Sequence, residues 1–115
     1  MLAKDVRTLG FLFESLVLRD LQIYAETLDG KLYHYQDYNG RENDGVVQFA
    51  DDNWSAFEVK LNPADVEEAA ASLLDTAAIF KHKPPRSLAV IVGKSGNVYR
   101  REDGVYVLPI SAMMT

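Results

Sequence analysis

Two acidic residues and a lysine lie on neighbouring segments that have the alternating polarity of β-strands. Asp44 belongs to a predicted strand over residues 42–49, and Glu58 and Lys60 belong to a second predicted strand over residues 54–61. Side chains two positions apart on a strand point to the same face, so Glu58 and Lys60 share a face. Whether Asp44 joins them depends on how the two strands pair.

The turn between the two strands sets that pairing. If Ala50 pairs with Trp54 across the turn, Asp44 lies opposite Lys60. Directly opposed side chains point to the same side of a sheet, so Asp44, Glu58 and Lys60 would converge. A slip of one residue would separate them.

Two carboxylates and an ammonium group on a half-buried face could support hydrolysis of a phosphodiester. Mg²⁺ is typically bound through one or two carboxylates together with water and phosphate oxygens. A nearby lysine could stabilise developing negative charge or help to activate the attacking water. We therefore consider Asp44, Glu58 and Lys60 candidate catalytic residues, with Gln48 one step along the same face. The same three residues could instead form a cross-strand salt bridge. Taken alone, their pattern favours the salt bridge over the catalytic site.

A third carboxylate, that of Glu14, strengthens the catalytic interpretation. Residues 8–28 have apolar side chains at helical spacing, and Glu14 lies among them. A lone carboxylate there would be costly unless it is paired or bound to a metal. A first helix packed on the sheet could present Glu14 to the hairpin. The alternative is a hydrogen bond from a tyrosine or a basic side chain to Glu14.

The remaining pattern predicts the elements that position these residues. Apolar residues surround most of helix 8–28, which predicts that the helix is mostly buried. A strand over residues 31–37 precedes the two acidic strands. Asn62-Pro63 opens a second helix that reaches residue 82, and the apolar run 87–92 is typical of a central strand. Residues 97–101 and 105–109 form a closing hairpin.

This order predicts one α/β domain over residues 1–115, with a helix on each side of a mixed sheet. Strand 54–61, helix 63–82 and strand 87–92 would form a right-handed crossover with a parallel strand pair. The start of the chain lacks the apolar region of a signal peptide, and no apolar run is long enough for a membrane span. We therefore expect a cytoplasmic protein with no membrane partner.

The charge of the chain is unevenly distributed. The 115 residues carry a net charge of −5 and include no cysteine, which excludes disulfides and thiolate zinc sites. Residues 81–115 nevertheless carry six basic and two acidic side chains. Within this region Lys94, Arg100 and Arg101 are candidate nucleic-acid-binding residues. Solvated turns and a helix C-terminus explain the same charges, and are the more ordinary interpretation.

Several segments resemble a known family. They are Gly10–Val17, Arg19–Leu21, Tyr33–Tyr35, the strand that contains Asp44, Trp54, Glu58–Leu61 and the closing run Tyr99–Pro109. Together they resemble the C-terminal domain of a large set of prokaryotic AAA+ ATPases. That domain is similar to the PD-(D/E)XK nucleases, whose restriction-endonuclease-like αβββαβ core matches the predicted order of elements.

The resemblance implies roles for the acidic residues. Glu14 corresponds to the acid of the first helix, Asp44 to the first strand acid, and Glu58 and Lys60 to the E-x-K half of the motif. These three carboxylates would hold Mg²⁺ or Mn²⁺. The chain departs from the family at Asn43, where the superfamily has proline.

No ATPase motif accompanies this domain. Gly93-Lys94-Ser95 resembles the end of a P-loop, but Leu88 stands where the first glycine should be. We therefore expect the chain not to bind ATP itself and to serve an AAA+ ATPase domain in cis or in trans.

Three functions remain open on this basis. The first is a divalent-metal-dependent nuclease, or a domain derived from one, that acts on DNA. The second is a non-catalytic module that retains the nuclease fold and binds nucleic acid or protein for the ATPase. The third is a homo-oligomerisation domain that uses aromatic residues at an edge, such as Tyr33 and Tyr35.

Overall fold

A six-stranded mixed sheet with a helix on each face forms the centre of the molecule. The structure is a computed structural model that describes residues 2–113. In chain order the elements are α1 (Leu2–Thr27), β1 (Lys31–Gln36), β2 (Glu42–Gln48), β3 (Trp54–Lys60), a 3₁₀ turn (Pro63–Asp65), α2 (Val66–Ile79), β4 (Ser87–Val92), β5 (Tyr99–Arg100), β6 (Tyr106–Pro109) and α3 (Ile110–Met113). The predicted mixed α/β architecture is therefore confirmed.

The strands lie in the order β1-β2-β3-β4-β6-β5. The first three form an antiparallel meander, whereas β3 pairs in parallel with β4, and β4 pairs in parallel with β6. Strand β5 pairs only with β6, in an antiparallel hairpin, so the predicted closing hairpin is confirmed with shorter strands. Strand β4 lies in the interior of the sheet and its last five residues are buried, as its unbroken apolar run predicts.

Each helix covers one face of the sheet and encloses its own apolar core. Helix α2 packs on the face that includes Ala56 and Val90, with Leu73 fully buried between helix and sheet. Helix α1 packs on the opposite face, where Val17 contacts the cluster that contains Val59. The two cores account for the alternation along β3, since its neighbouring residues enter different clusters.

The expectation that α1 is mostly buried is wrong. Only one side of this 26-residue helix meets the sheet, where Val17 and Ala25 have no exposed surface. The opposite side remains open, and Leu9, Leu16 and Ile23 are 57%, 61% and 56% exposed. The apolar residues surround the helix as predicted, but within residues 2–113 no second layer covers the outer side. No helix in this part of the chain is both long and apolar enough to cross a membrane.

The hairpin of β2 and β3 has a different register from the predicted one. Trp54 pairs with Gln48 rather than with Ala50, so the strands are displaced by two residues. The turn is longer because Phe49 donates a backbone hydrogen bond to Asn53 (2.8 Å) and Asp52 adopts a left-handed conformation with φ of 73°. A displacement of two residues preserves the alternation, so it leaves the faces of β3 unchanged.

Candidate functional site

A β-bulge in β2 shapes the site. Tyr33 pairs with Val46, but two residues further along β1 Tyr35 pairs with Asn43, so Asp44 and Gly45 together oppose a single residue. The extra residue reverses the alternation of β2 beyond this point. Asn43 therefore shares a face with Val46, on the side of α2. The prediction assumes that β2 alternates without interruption up to Asp44. The bulge interrupts this alternation, so that assumption is wrong.

The bulge directs Asp44 toward the backbone of β3. The Oδ2 atom of Asp44 accepts a hydrogen bond of 2.8 Å from the backbone N–H of Val59. This contact holds the carboxylate on Val59, the neighbour of Glu58, and both carboxyl groups line the same cavity. The structure thus brings Asp44 and Glu58 together by a route that the predicted register does not include.

Glu58 is held from the side of α2 and is almost completely buried, with 5% exposure. Its Oε1 atom accepts hydrogen bonds from Asn43 Nδ2 at 3.0 Å and from Ser72 Oγ at 3.2 Å. Burial, and then the adjacent Asp44 carboxylate, raise the pKa of Glu58 to about 8. The two hydrogen bonds oppose this effect because they favour the ionised form. The carboxyl group is therefore fixed in place and largely neutral near pH 7.

A polar cavity of about 200 Å³ opens beside this pair. It is lined by Glu42, Asp44, Glu58, Lys60, Glu68, Ala69 and Ser72. Lys60 follows Glu58 by two positions on β3 and is only partly buried, so its ammonium group belongs to the same cavity as the two carboxylates. The three candidate catalytic residues are thus brought to one place.

Glu14 lies near Asp44 and Lys60 but does not line the cavity. It belongs to α1, which packs on the other face of the sheet from α2, and it is partly buried. Its own burial, followed by the charge of Asp44, raises the pKa of Glu14, while the charge of Lys60 lowers it. Glu14 therefore interacts electrostatically with the site from the far side of the sheet.

The donor set fits a hydrated metal ion better than a cage of protein ligands. Within residues 2–113, no three histidine, aspartate or glutamate side chains come together in an arrangement that could hold a metal ion. Asp44 and Glu58 supply two adjacent carboxyl groups at the edge of a polar cavity. Two carboxylates completed by water and phosphate oxygens are a usual set for Mg²⁺.

The candidate nucleic-acid-binding residues lie apart from the carboxylates. Arg100 is on the edge strand β5, where its guanidinium group lies 5.5 Å from the ring centre of Tyr106. Arg101 is paired with Glu67 at 3.0 Å and with Asp103 at 3.2 Å, and its side chain is 19% exposed. The charge of Arg101 is therefore already offset.

Lys94, the third candidate nucleic-acid-binding residue, and Gln48, the predicted neighbour of the catalytic residues, also lie outside the acidic cavity. Lys94 is exposed in the bend that follows β4. Gln48 is on β2, where its Nε2 atom donates to Asp52 Oδ1 at 2.9 Å. It lines a different, aromatic cavity on the same side of the sheet, together with Trp54.

Sequence reasoning missed the residues that hold Glu58. The sequence marks Asn43 only as a replacement for proline, yet Asn43 is completely buried and hydrogen-bonds to Glu58. Ser72 lies on α2 and hydrogen-bonds to the same carboxyl oxygen. The one available signal was Gly45, because a glycine within a strand often marks a bulge.

The fold and the site define a mixed α/β domain with a carboxylate pair and a lysine at a strand bulge. The chain belongs to a family described as Domain of unknown function (DUF4143), whose model matches residues 9–113. Domains of this family are associated with AAA-like ATPases. No curated protein and no solved structure matches the chain.

Proposed function

We propose that this chain is a metal-dependent nuclease domain of the restriction-endonuclease-like class that serves an AAA-like ATPase in cis or in trans. The observation that carries the proposal is the cavity that Asp44, Glu58 and Lys60 line together. The order of α1, three antiparallel strands, α2 and a parallel fourth strand supports the same class of fold.

Asp44 and Glu58 are the residues that would hold Mg²⁺ or Mn²⁺. The ion would supply a water of lowered pKa and positive charge next to a phosphate. The chain itself contributes the fixed positions of the two carboxyl groups, one held by the backbone of Val59 and the other by Asn43 and Ser72. Such support from neighbouring hydrogen bonds orients metal-binding groups.

Lys60 has a separate role in the proposal. Its ammonium group would stabilise negative charge that develops on a phosphate oxygen during cleavage. In the free protein Lys60 shares its cavity with an excess of acidic side chains, because Glu42 and Glu68 line it in addition to the carboxylate pair. This surplus of carboxylates would repel a phosphate unless a divalent cation is bound, so we expect DNA binding at the cavity to require the metal.

A non-catalytic module is the second candidate, and one observation favours it. Arg101 is bound by two acidic side chains, and Arg100 is at the far edge of the sheet from β2. The surface around the cavity therefore offers little positive charge for nucleic acid. A domain that retains the carboxylate pair but binds another protein of the ATPase assembly would have these properties.

Metal binding is tested by thermal unfolding with and without Mn²⁺. A ligand that binds only the folded state stabilises it by about 2.7 kcal/mol at 100-fold excess over Kd. We expect a clear rise in Tm for the wild type, a larger rise at pH 8.5 than at pH 6 because Glu58 must lose its proton, and little rise for Asp44→Asn.

Glu14→Gln tests the predicted first-helix ligand in the same assay. It removes a charge near Asp44 but not a residue that lines the cavity, so its effect on the Mn²⁺ response is expected to be smaller than that of Asp44→Asn. Equal Mn²⁺ responses in the wild type and Asp44→Asn would show that the cation binds elsewhere.

Nuclease activity is tested with single-stranded and branched DNA at low salt. We expect cleavage that depends on Mg²⁺ or Mn²⁺ and is lost in Lys60→Ala. Lys31→Ala serves as control, because Lys31 is an exposed lysine at the start of β1. If metal binds but no DNA is cut under these conditions, the non-catalytic module becomes the better explanation.

A further inference from the structure

A second cavity, of about 220 Å³, lies on the same side of the sheet as the carboxylate pair. It is between the edge strand β1 and the C-terminal end of α2, and four of its lining residues are aromatic: Tyr33, Tyr35, Trp54 and Phe80. Pockets for drug-sized ligands have roughly 300–1,000 Å³, so this cavity suits a single planar ring system.

The aromatic side chains divide into an inner wall and an outer rim. Trp54 is largely buried and its indole N–H already donates to the backbone oxygen of Lys83 at 2.7 Å. Phe80 packs edge-on against Trp54 at 5.6 Å and against Tyr35 at 5.9 Å between ring centres. Phe80 and Tyr33 are nevertheless 41% and 47% exposed, so these two rings remain open to a ligand.

The polar groups at the rim favour a ring that has a polar edge over a charged ligand. Lys83 forms an ion pair with Asp52, and Gln48 donates to the same carboxylate at 2.9 Å. These charges offset each other. Gln48 lines the cavity, and an amide side chain has an oxygen that could accept a hydrogen bond from an amino or imino group.

We propose that this cavity binds an unpaired nucleobase of a single strand whose backbone extends to the carboxylate pair. The inference rests on the proposed function and names its substrate class as single-stranded or locally unpaired nucleic acid. Trp54 and Glu58 are four positions apart on β3, which is about 13 Å, a distance that a few nucleotides span. Stacking of bases on aromatic side chains tolerates any base sequence.

The fluorescence of Trp54 offers a direct test, because it is the only tryptophan of the chain. A ten-residue thymidine oligonucleotide is titrated into the protein at low salt in EDTA, so that cleavage and metal-dependent binding at the carboxylate pair do not contribute and only the aromatic cavity is measured. Binding is expected to quench the emission saturably. Tyr33→Ala and Phe80→Leu are expected to weaken the affinity about tenfold or more, since one base stack contributes about 1–3 kcal/mol.

Controls separate the cavity from other aromatic surfaces and from misfolding. Phe80→Leu retains an apolar side chain against Trp54, so the fold is preserved while the ring is lost. Tyr24→Ala removes a tyrosine that is 58% exposed on α1, on the other face of the sheet, and should leave the titration unchanged.

The outcomes also separate this inference from the proposed function. Quenching in both the wild type and Asp44→Asn, together with no metal-dependent cleavage by the wild type, would support the base site and reject the nuclease. Metal-dependent cleavage with unchanged KM in Tyr33→Ala and Phe80→Leu would overturn the base site alone. Quenching by a phenylalanine-containing peptide but not by the oligonucleotide would also overturn it, and would assign the cavity to a protein side chain.

Discussion

At the scale of single residues, the protonation of Glu58 links the site to the stability of the fold. Its carboxyl group is buried next to Asp44, and its pKa is raised from 4.5 to about 8. Between these two pH values the folded protein retains a proton that the unfolded chain releases. The contribution of Glu58 to the free energy of unfolding therefore falls as pH rises from about 4.5 to about 8 and is constant above that range.

Glu58→Gln is expected to remove this dependence. The amide oxygen can still accept from Asn43 and Ser72, while its nitrogen can donate to Asp44. At pH 8.5 the variant should be more stable than the wild type by on the order of a few kcal/mol, and the difference should shrink at pH 5. Denaturant unfolding at both pH values measures it.

The exposed Glu68 lines the same cavity, so Glu68→Gln is the matched control for this comparison. A difference between wild type and Glu58→Gln that is the same at pH 5 and pH 8.5 would contradict the shifted ionisation. A wild type that is more stable than Glu58→Gln at pH 8.5 would also contradict it.

The sequence could predict the residues that ionise but not the residues that hold them. Alternation on β3 is sufficient to place Glu58 and Lys60 on one face, whereas the predicted position of Asp44 depends on a register that the structure does not have. Asn43 and Ser72 are ordinary polar residues, and they are 29 positions apart. Their meeting depends on the bulge and on the position of α2, both of which are tertiary features.

At the scale of secondary-structure elements, α1 shows where periodicity is informative and where it is not. Apolar residues on nearly all sides predicted a helix, and the helix is present. The same pattern predicted burial on most sides, which is wrong because only one layer covers it. Periodicity describes which residues could be buried, whereas the number of neighbouring layers depends on the whole fold.

Two adjacent positions on α1 test its one-sided burial. Val17 is completely buried, whereas Leu16 is 61% exposed. Leu16→Gln should change the free energy of unfolding by no more than about 0.5 kcal/mol, as for other surface substitutions. Val17→Gln should cost about 3 kcal/mol or more, because it buries an amide among apolar side chains.

Urea unfolding at low protein concentration compares the two variants without the influence of self-association. A large loss of stability in both would mean that the outer side of α1 is also covered in solution. A loss for Leu16→Gln that appears only when the protein concentration is raised would mean that a second copy covers this side, and would support a homo-oligomer.

At the scale of the whole molecule, charge limits how the domain could meet nucleic acid. The net charge is −5, and the acidic cavity adds local repulsion. Basic residues near the end of the chain could offset this repulsion by contacting phosphates, but Arg100 and Arg101 are not equivalent. Arg101 is bound to two carboxylates, whereas Arg100 is exposed on the edge strand and its hydrogen bond is to a backbone oxygen, that of Gly104.

The two arginines should therefore respond differently to substitution. Each phosphate contact on a single strand contributes about −0.7 to the slope of log affinity against log salt concentration. Arg100→Ala is expected to reduce the slope by about one such contact in a fluorescence-anisotropy titration. Arg101→Ala should change the slope less and should lower stability, since Glu67 and Asp103 lose a partner. Equal changes in slope for both variants would show that Arg101 leaves its carboxylates to bind phosphate, and binding that is independent of salt would exclude backbone contacts by either residue.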